Sequence, residues 1–232
     1  MRFYSSILML FLALSAFAQE EVIEKKTVVD SLYREDQFYF NFTFNNLQNA
    51  PKDLNQNKFS SGFCFGFLRD MPINKSRTWA IAAGLGYSIK VFNSNLYEYK
   101  TSSSDAINYD LISSDIYFKK NKLSLHYLDL PIEIRWRSST PESHKFWRIY
   151  TGFKLSYLIG DRYKFVNDVQ TLKYKANSDL NKFQYGCYIT LGYNSVNIYA
   201  YYGLNPIFKS ANIAGENIKM NDFNVGLQFY IL

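Results

Sequence analysis

Cysteine, histidine, tryptophan and proline are scarce in this chain of 232 residues, with 2, 2, 3 and 5 copies respectively. Two cysteines cannot staple a small disulfide scaffold. Cys64 and Cys187 each fall inside an alternating segment, with parities that place them on opposite faces, so free thiols are expected. His126 and His144 stand at opposite ends of one strand region without Cys or carboxylate neighbours at ligand spacing, so no metal site and no cofactor are expected. A Gly-x-Ser-x-Gly elbow is missing, and no Ser, His and Asp grouping suits a hydrolase, so a non-enzymatic protein is expected. The formal charge is +6, but the basic residues are scattered, which argues against a nucleic-acid partner. No small-molecule substrate is expected either. Beyond residue 18 no segment approaches the roughly 20 consecutive apolar residues of a spanning helix.

The N-terminus carries Arg2, an unbroken apolar run from Ile7 to Leu14, and Ala16-Phe17-Ala18 before Gln19. These are the three parts of a secretory signal peptide, so residues 1–18 are expected to be removed on export. Residue 19 is Gln rather than Cys, so no lipid anchor is expected there. Residues 19–36 are charged and weakly patterned, and read as a periplasmic tail, either mobile or a short docking segment. An exported chain without a spanning helix can enter a membrane only as a barrel, which leaves residues 37–232 for that barrel.

Aromatic residues are what the chain does have, with 20 Tyr and 20 Phe, and they favour strands. The clearest segment is YLDLPIEIRW, Tyr127 to Trp136, where Leu128, Leu130, Ile132, Ile134 and Trp136 alternate with Asp129, Pro131, Glu133 and Arg135. A strand sends successive side chains to opposite faces, so one wall is apolar and the other carries two acids and a base. Similar alternation marks residues 38–45, 59–68, 79–92, 147–159, 183–193, 196–204 and 223–231. Eight strands result. The apolar parity of the fourth changes around Tyr127, where a β-bulge is expected.

Three regularities select a transmembrane up-and-down barrel. The strand number is even, and long connections alternate with short ones, as when one rim faces the exterior and the other the periplasm. No Asp, Glu, Lys or Arg occupies an apolar face, where a mid-membrane charge costs roughly 2–4 kcal/mol. The opposite face collects Lys90, Asp129, Glu133, Arg135, Arg148 and Lys154, which a lipid-excluded lumen can hold when they pair. Placing Trp136 opposite Trp147 sets Asp129 opposite Lys154 and Pro131 opposite Gly152, an internal salt-bridge plug. Trp79, Trp136 and Trp147 fall at strand ends beside short turns and read as a periplasmic aromatic girdle. The Asp161–Lys182 connection is either two strands prolonged beyond the membrane or a docking hairpin.

Four stretches carry a family resemblance: YREDQFYF (Tyr33 to Phe40), RDMPINKSRTWAIAAGLGYS (Arg69 to Ser88), YLDLPIEIRW, and FWRIYTGFKLSYL (Phe146 to Leu158). Together they resemble the PorT-like outer-membrane barrels associated with type IX secretion and gliding motility. The resemblance implies a non-enzymatic outer-membrane barrel that is accessory to protein secretion. Its implied partners are outer-membrane lipid and other secretion-system proteins, and it brings no catalytic residues. The alternative is a generic OmpA-like structural or adhesive barrel.

Overall fold

The computed structural model describes residues 36–56, 58–101, 104–138 and 146–231. The signal-peptide segment, the tail up to residue 35, and His144 lie outside the described residues. Each alternating segment is a strand, bounded where the period of two gives way to turn residues. The elements are β1 (Gln37–Gln48), β2 (Ser61–Pro72), β3 (Trp79–Asn93), β4 (Leu96–Thr101), β5 (Ser104–Leu111), β6 (Lys120–Arg137), β7 (Trp147–Val166), β8 (Thr171–Tyr174), β9 (Phe183–Tyr193), β10 (Val196–Gly203), β11 (Asn212–Ile213), β12 (Glu216–Asn217) and β13 (Asn221–Ile231).

Eight of these close into an antiparallel barrel in the order β6-β3-β2-β1-β13-β10-β9-β7, with β7 returning to β6. The first and last strands meet directly, Phe38 opposite Ile231 through Gln48 opposite Asn221, so no edge is left open. In hydrocarbon this closure matters because an unpaired strand edge would cost several kcal/mol for each orphaned backbone group.

The walls are inverted relative to a water-soluble barrel. Along β6, Leu130 and Ile134 are 42% and 53% exposed, while Asp129 and Arg135 between them are 0% exposed. Phe38, Phe40, Phe42 and Phe44 line the outside of β1 in the same way, opposite the buried Tyr39, Asn41, Thr43 and Asn45. An apolar belt of this extent marks a surface that meets something other than water. Among the described residues no helix is long and apolar enough to span a membrane, which says nothing against crossing by strands.

The long connections are more ordered than their polarity suggests. Within Asn93 to Asn121, β4 and β5 form a hairpin, with Leu96 opposite Leu111. The Asp161–Lys182 connection resolves into prolonged strands: β6 and β7 stay paired out to Lys120 opposite Val166, and β8 adds on at Val166 opposite Thr171.

The β-bulge expected around Tyr127 is present in the β6–β7 pairing, between His126 and Tyr127, but its extra residue is not on β6. Odd-numbered residues of β6 point inward throughout, from Asn121 to Arg137. The extra residue is Ile159 of β7, because His126 pairs with Gly160 and Tyr127 with Leu158. Even residues of β7 face inward up to Leu158 and odd ones from Asp161 onward. The apolar pattern of β6 switches because the lumen itself becomes apolar there, so Leu123 and Leu125 point inward as Leu128 and Leu130 point out.

Candidate functional site

Lys90, Asp129, Glu133, Arg135, Arg148 and Lys154 are all buried on the inward face of their strands. Three linked groups fill the barrel at this level. Nearest the short turns, Arg135 donates through Nε to Glu133 at 2.7 Å and through an NH1 hydrogen to Asp70 at 3.1 Å. Arg137 donates to the other Asp70 oxygen at 2.9 Å and, through Nε, to the Arg77 carbonyl at 2.9 Å. Tyr188 donates its hydroxyl to Glu133 at 2.8 Å. The Arg135 guanidinium lies 4.8 Å from the Tyr150 ring centroid, and that of Arg148 lies 4.3 Å from the Phe146 ring.

In the middle, Lys154 Nζ stands 3.7 Å from Asp129 and donates to the Tyr199 hydroxyl at 3.2 Å. The Cys64 thiol points at the same carboxylate, 3.6 Å away. Further out, Lys90 pairs with Asp222, and its ammonium sits 4.4 Å from the Tyr201 ring. Bulky tyrosines reach this crowded space because glycines leave room for them. A Cβ at Gly152 would strike the Tyr188 ring, and one at Gly186 would strike Tyr201. Cys187 lies on the outer face, so the two cysteines are free and apart.

The register of the β6–β7 hairpin corrects the expected one by two residues. Trp136 faces Ile149, Asp129 faces Ser156, and Pro131 faces Lys154. Asp129 and Lys154 therefore meet along a diagonal. The slip arises because β6 runs one residue past Trp136, with Arg137 opposite Arg148, so the strand ends do not coincide with the two tryptophans. Glu133 meets Arg135 two residues along its own strand, since both point inward.

Asp70, Arg137 and Asp222 belong to the network and were not among the expected residues. Each lies one or two positions beyond a strand end as read from sequence, and the extended strands carry the inward parity to them. Trp79 and Trp136 are direct cross-strand partners, and Trp147 faces Tyr193, all at the short-turn end. Trp79 and Trp147 are exposed.

Beyond Lys90 the lumen is sealed by an apolar plug. Leu123, Leu125 and Tyr127 of β6 and Leu158, Tyr163 and Phe165 of β7 pack against Leu96 and Tyr109 of the β4–β5 hairpin and against Leu180, Ile207 and Phe208 of the later loops. The gap bordered by Tyr39, Glu133, Lys154 and Tyr199 measures about 10 Å³, and the one bordered by Asn41, Cys64, Lys90 and Asn224 about 20 Å³. A single water needs roughly 10–15 Å³, so neither is a passage. Among the described residues no group of three or more His, Cys, Asp and Glu could hold a metal ion.

One carboxylate sits inside the plug region. Glu98 of β4 is buried and accepts a hydrogen bond from Asn177 Nδ2 at 3.4 Å. Burial first, then the neighbouring Asp161, raises its pKa to about 8, with Asn177 opposing and Asp179 adding to the shift.

The family described as "Outer membrane protein beta-barrel domain" matches residues 17–209. The chain belongs to that family, and is an outer-membrane β-barrel protein. No curated protein matches it. Two solved structures share slight similarity: a chain described as "Asymmetric conductivity of engineered proteins", at 11% identity and TM-score 0.15, and a mutant Rh. blastica porin, at 12% identity and TM-score 0.15. Each comparison covers 86% of this chain and 100% of the other. Neither likeness bears on fold or function.

Proposed function

We infer that this barrel is a non-enzymatic accessory component of protein secretion, of the kind that serves type IX secretion and gliding motility, and that it works through its surfaces. The observation that carries this reading is the filled lumen. A folded cargo cannot pass an interior packed with side chains from Arg137 at one end to Phe208 at the other. The link to secretion rests on the four stretches that resemble PorT-like barrels, and one of them forms a pre-organised turn on the short-turn rim.

That turn, within residues 69–78, is braced by the side chains of Asn74 and Arg137. Asn74 donates from Nδ2 to the hydroxyls of Ser76 and Thr78, each at 2.8 Å, and its Oδ1 accepts from the Trp79 amide at 3.0 Å. Arg77 takes a positive φ of 58°, and its carbonyl is fixed by Arg137. Asp36, the last residue of the tail, accepts from the Asp70 amide at 2.8 Å, which ties the tail's end to β2. A rim fixed in this way can present a constant shape to periplasmic partners.

A strain lacking the gene is expected to retain proteins with C-terminal sorting domains inside the cell. Restoring it with a chain altered only at Asn74, Lys75 and Ser76 is expected to insert the barrel and leave secretion impaired. Normal secretion in the deletion strain would sink the reading and favour the structural or adhesive barrel.

A further inference from the structure

Every charged side chain that the described barrel strands turn outward is a cation. Arg69 stands toward the short-turn rim, and Lys120, Lys122, Arg162 and Lys164 stand beyond the apolar belt at the long-loop end. The outward faces of β1, β3, β9, β10 and β13 carry no Asp, Glu, Lys or Arg. Lys122 is the direct cross-strand partner of Lys164, which in turn lies opposite Lys173 of β8. Lys120 lies one inward–outward repeat further out, and Arg162, opposite Ser124, one repeat nearer the belt.

Like charges in direct register destabilise a strand pair. Lys164 is held below the ordinary lysine range, first by Lys120, then by desolvation and by Lys173, Lys122 and Arg162. The other outward positions of this sector are Ser124, His126, Gly160, Val166 and Thr171, so no carboxylate on the same face offsets the charge. The exposed Lys119–Asp168 pair uses its acid at the β7–β8 tip.

The height of the row selects its counter-ion. Ile159 is the last outward apolar residue of β7 before the cations, and Arg162 follows three residues on. At about 3.3 Å per residue the row begins about 10 Å further along the strand, which is roughly 7–8 Å of height at the usual strand tilt of about 35–45°, where headgroups lie against a hydrocarbon core about 30 Å thick. Arg and Lys stems can lie back along the wall and keep their charges at that level. An amphiphile fits both surfaces at once, its chains on Leu128, Tyr157 and Ile159 and its phosphate among the cations.

We propose that Lys120, Lys122, Arg162, Lys164 and Lys173 form a binding site for the phosphate headgroups of anionic lipid in the leaflet at the long-loop rim. A phosphate accepts from Arg162 in bidentate fashion and neutralises the lysine row. The site needs only that the barrel spans a bilayer, and is independent of any role in secretion.

Native mass spectrometry of the full chain, folded in an uncharged detergent with added dioleoyl phosphatidate, tests it. Each basic residue near an anionic surface contributes about fivefold, so Lys122→Gln/Lys164→Gln/Lys173→Gln is expected to bind phosphatidate on the order of a hundredfold more weakly. The variant relieves repulsion and keeps the fold, read from its heat-dependent gel mobility. The equally discharged Lys52→Gln/Lys209→Gln/Lys219→Gln control, altered at exposed loop lysines, is expected to bind as wild type. Dioleoyl phosphatidylcholine is expected to bind weakly to all three. Undiminished phosphatidate binding by the first variant, or an equal loss in the control, overturns the site. Inorganic phosphate binding as tightly as phosphatidate would overturn it in favour of a soluble anion, and polyglutamate doing so would favour an acidic protein partner.

Discussion

The ammonium of Lys90 on β3 meets the carboxylate of Asp222 on β13 across the lumen, with β2 and β1 standing between them along the wall. A contact between strands that are not neighbours ties the wall together in a way no backbone ladder can. Asp222→Asn leaves a buried ammonium without its counter-charge and is expected to cost about 3–5 kcal/mol. The double variant Lys90→Met/Asp222→Leu is expected to recover most of that loss. Urea unfolding in vesicles measures both, and equal destabilisation by the single and double variants would contradict the pairing.

Asp129 and Lys154 allow a sharper test, because they meet diagonally at 3.7 Å on adjacent strands. Reversing one charge places like charges together in the lumen, whereas exchanging both restores attraction. Asp129→Lys alone is expected to prevent stable folding, and Asp129→Lys/Lys154→Asp to fold. The readout is gel mobility with and without boiling. Additive losses in the two single variants and the double would show that the residues do not interact.

Glu98 makes the long-loop plug sensitive to pH. Its folded-state pKa of about 8 stands above the ordinary carboxyl value of 4.5, so the folded plug binds more protons than the unfolded one between those values. Stability contributed by the protonated carboxyl is therefore full below about pH 4.5 and is lost as pH rises through about 8. At 1.36 kcal/mol per pH unit the loss is at most about 5 kcal/mol. Hydrogen exchange of β4 and β5 amides, corrected for the intrinsic rate, is expected to quicken from pH 5 to pH 9. In Glu98→Gln that trend should vanish, and its persistence would assign the effect to another group.

On the outer wall, Leu130→Arg places a charge within the apolar belt and is expected to cost about 2–4 kcal/mol of barrel stability. Ser88→Ala faces the lumen and is expected to change it by less than about 1 kcal/mol. Unfolding free energies in vesicles compare the two. A tolerated Arg at position 130 would contradict the lipid-facing assignment.

The strands, their faces and the inverted polarity were legible in the sequence because period-two alternation survives wherever one wall meets lipid. Phe63, Phe65 and Phe67 fix the outer face of β2 regardless of what fills the lumen. Strand ends were less legible. Asp70, Arg137 and Asp222 lie where alternation gives way to turn composition, and the network cannot be completed without them. The hairpin register was set by Arg137 opposite Arg148 rather than by matching two tryptophans. The apolar plug was the least legible part, since Leu96, Tyr109, Ile207 and Phe208 come from segments whose composition reads as loop. Their inward packing depends on contacts distant in sequence. The outward lysine row was hidden for a related reason. Lys122, Lys164 and Lys173 come together only once β6 and β7 stay paired beyond the membrane.

The most direct test of a closed barrel that acts through its surfaces is conductance in a planar bilayer. The salt-bridge groups around Arg135 and Lys90 and the plug around Phe208 fill the lumen among the described residues, so the inserted protein is expected to give a flat baseline without unitary steps. Lys90→Ala/Asp222→Ala combined with Phe208→Ala and Leu180→Ala is expected to introduce flickering current, which verifies insertion. Stable, ohmic single-channel steps from the unaltered chain would contradict a filled lumen, and with it the conclusion that the protein works from its outer faces and rims.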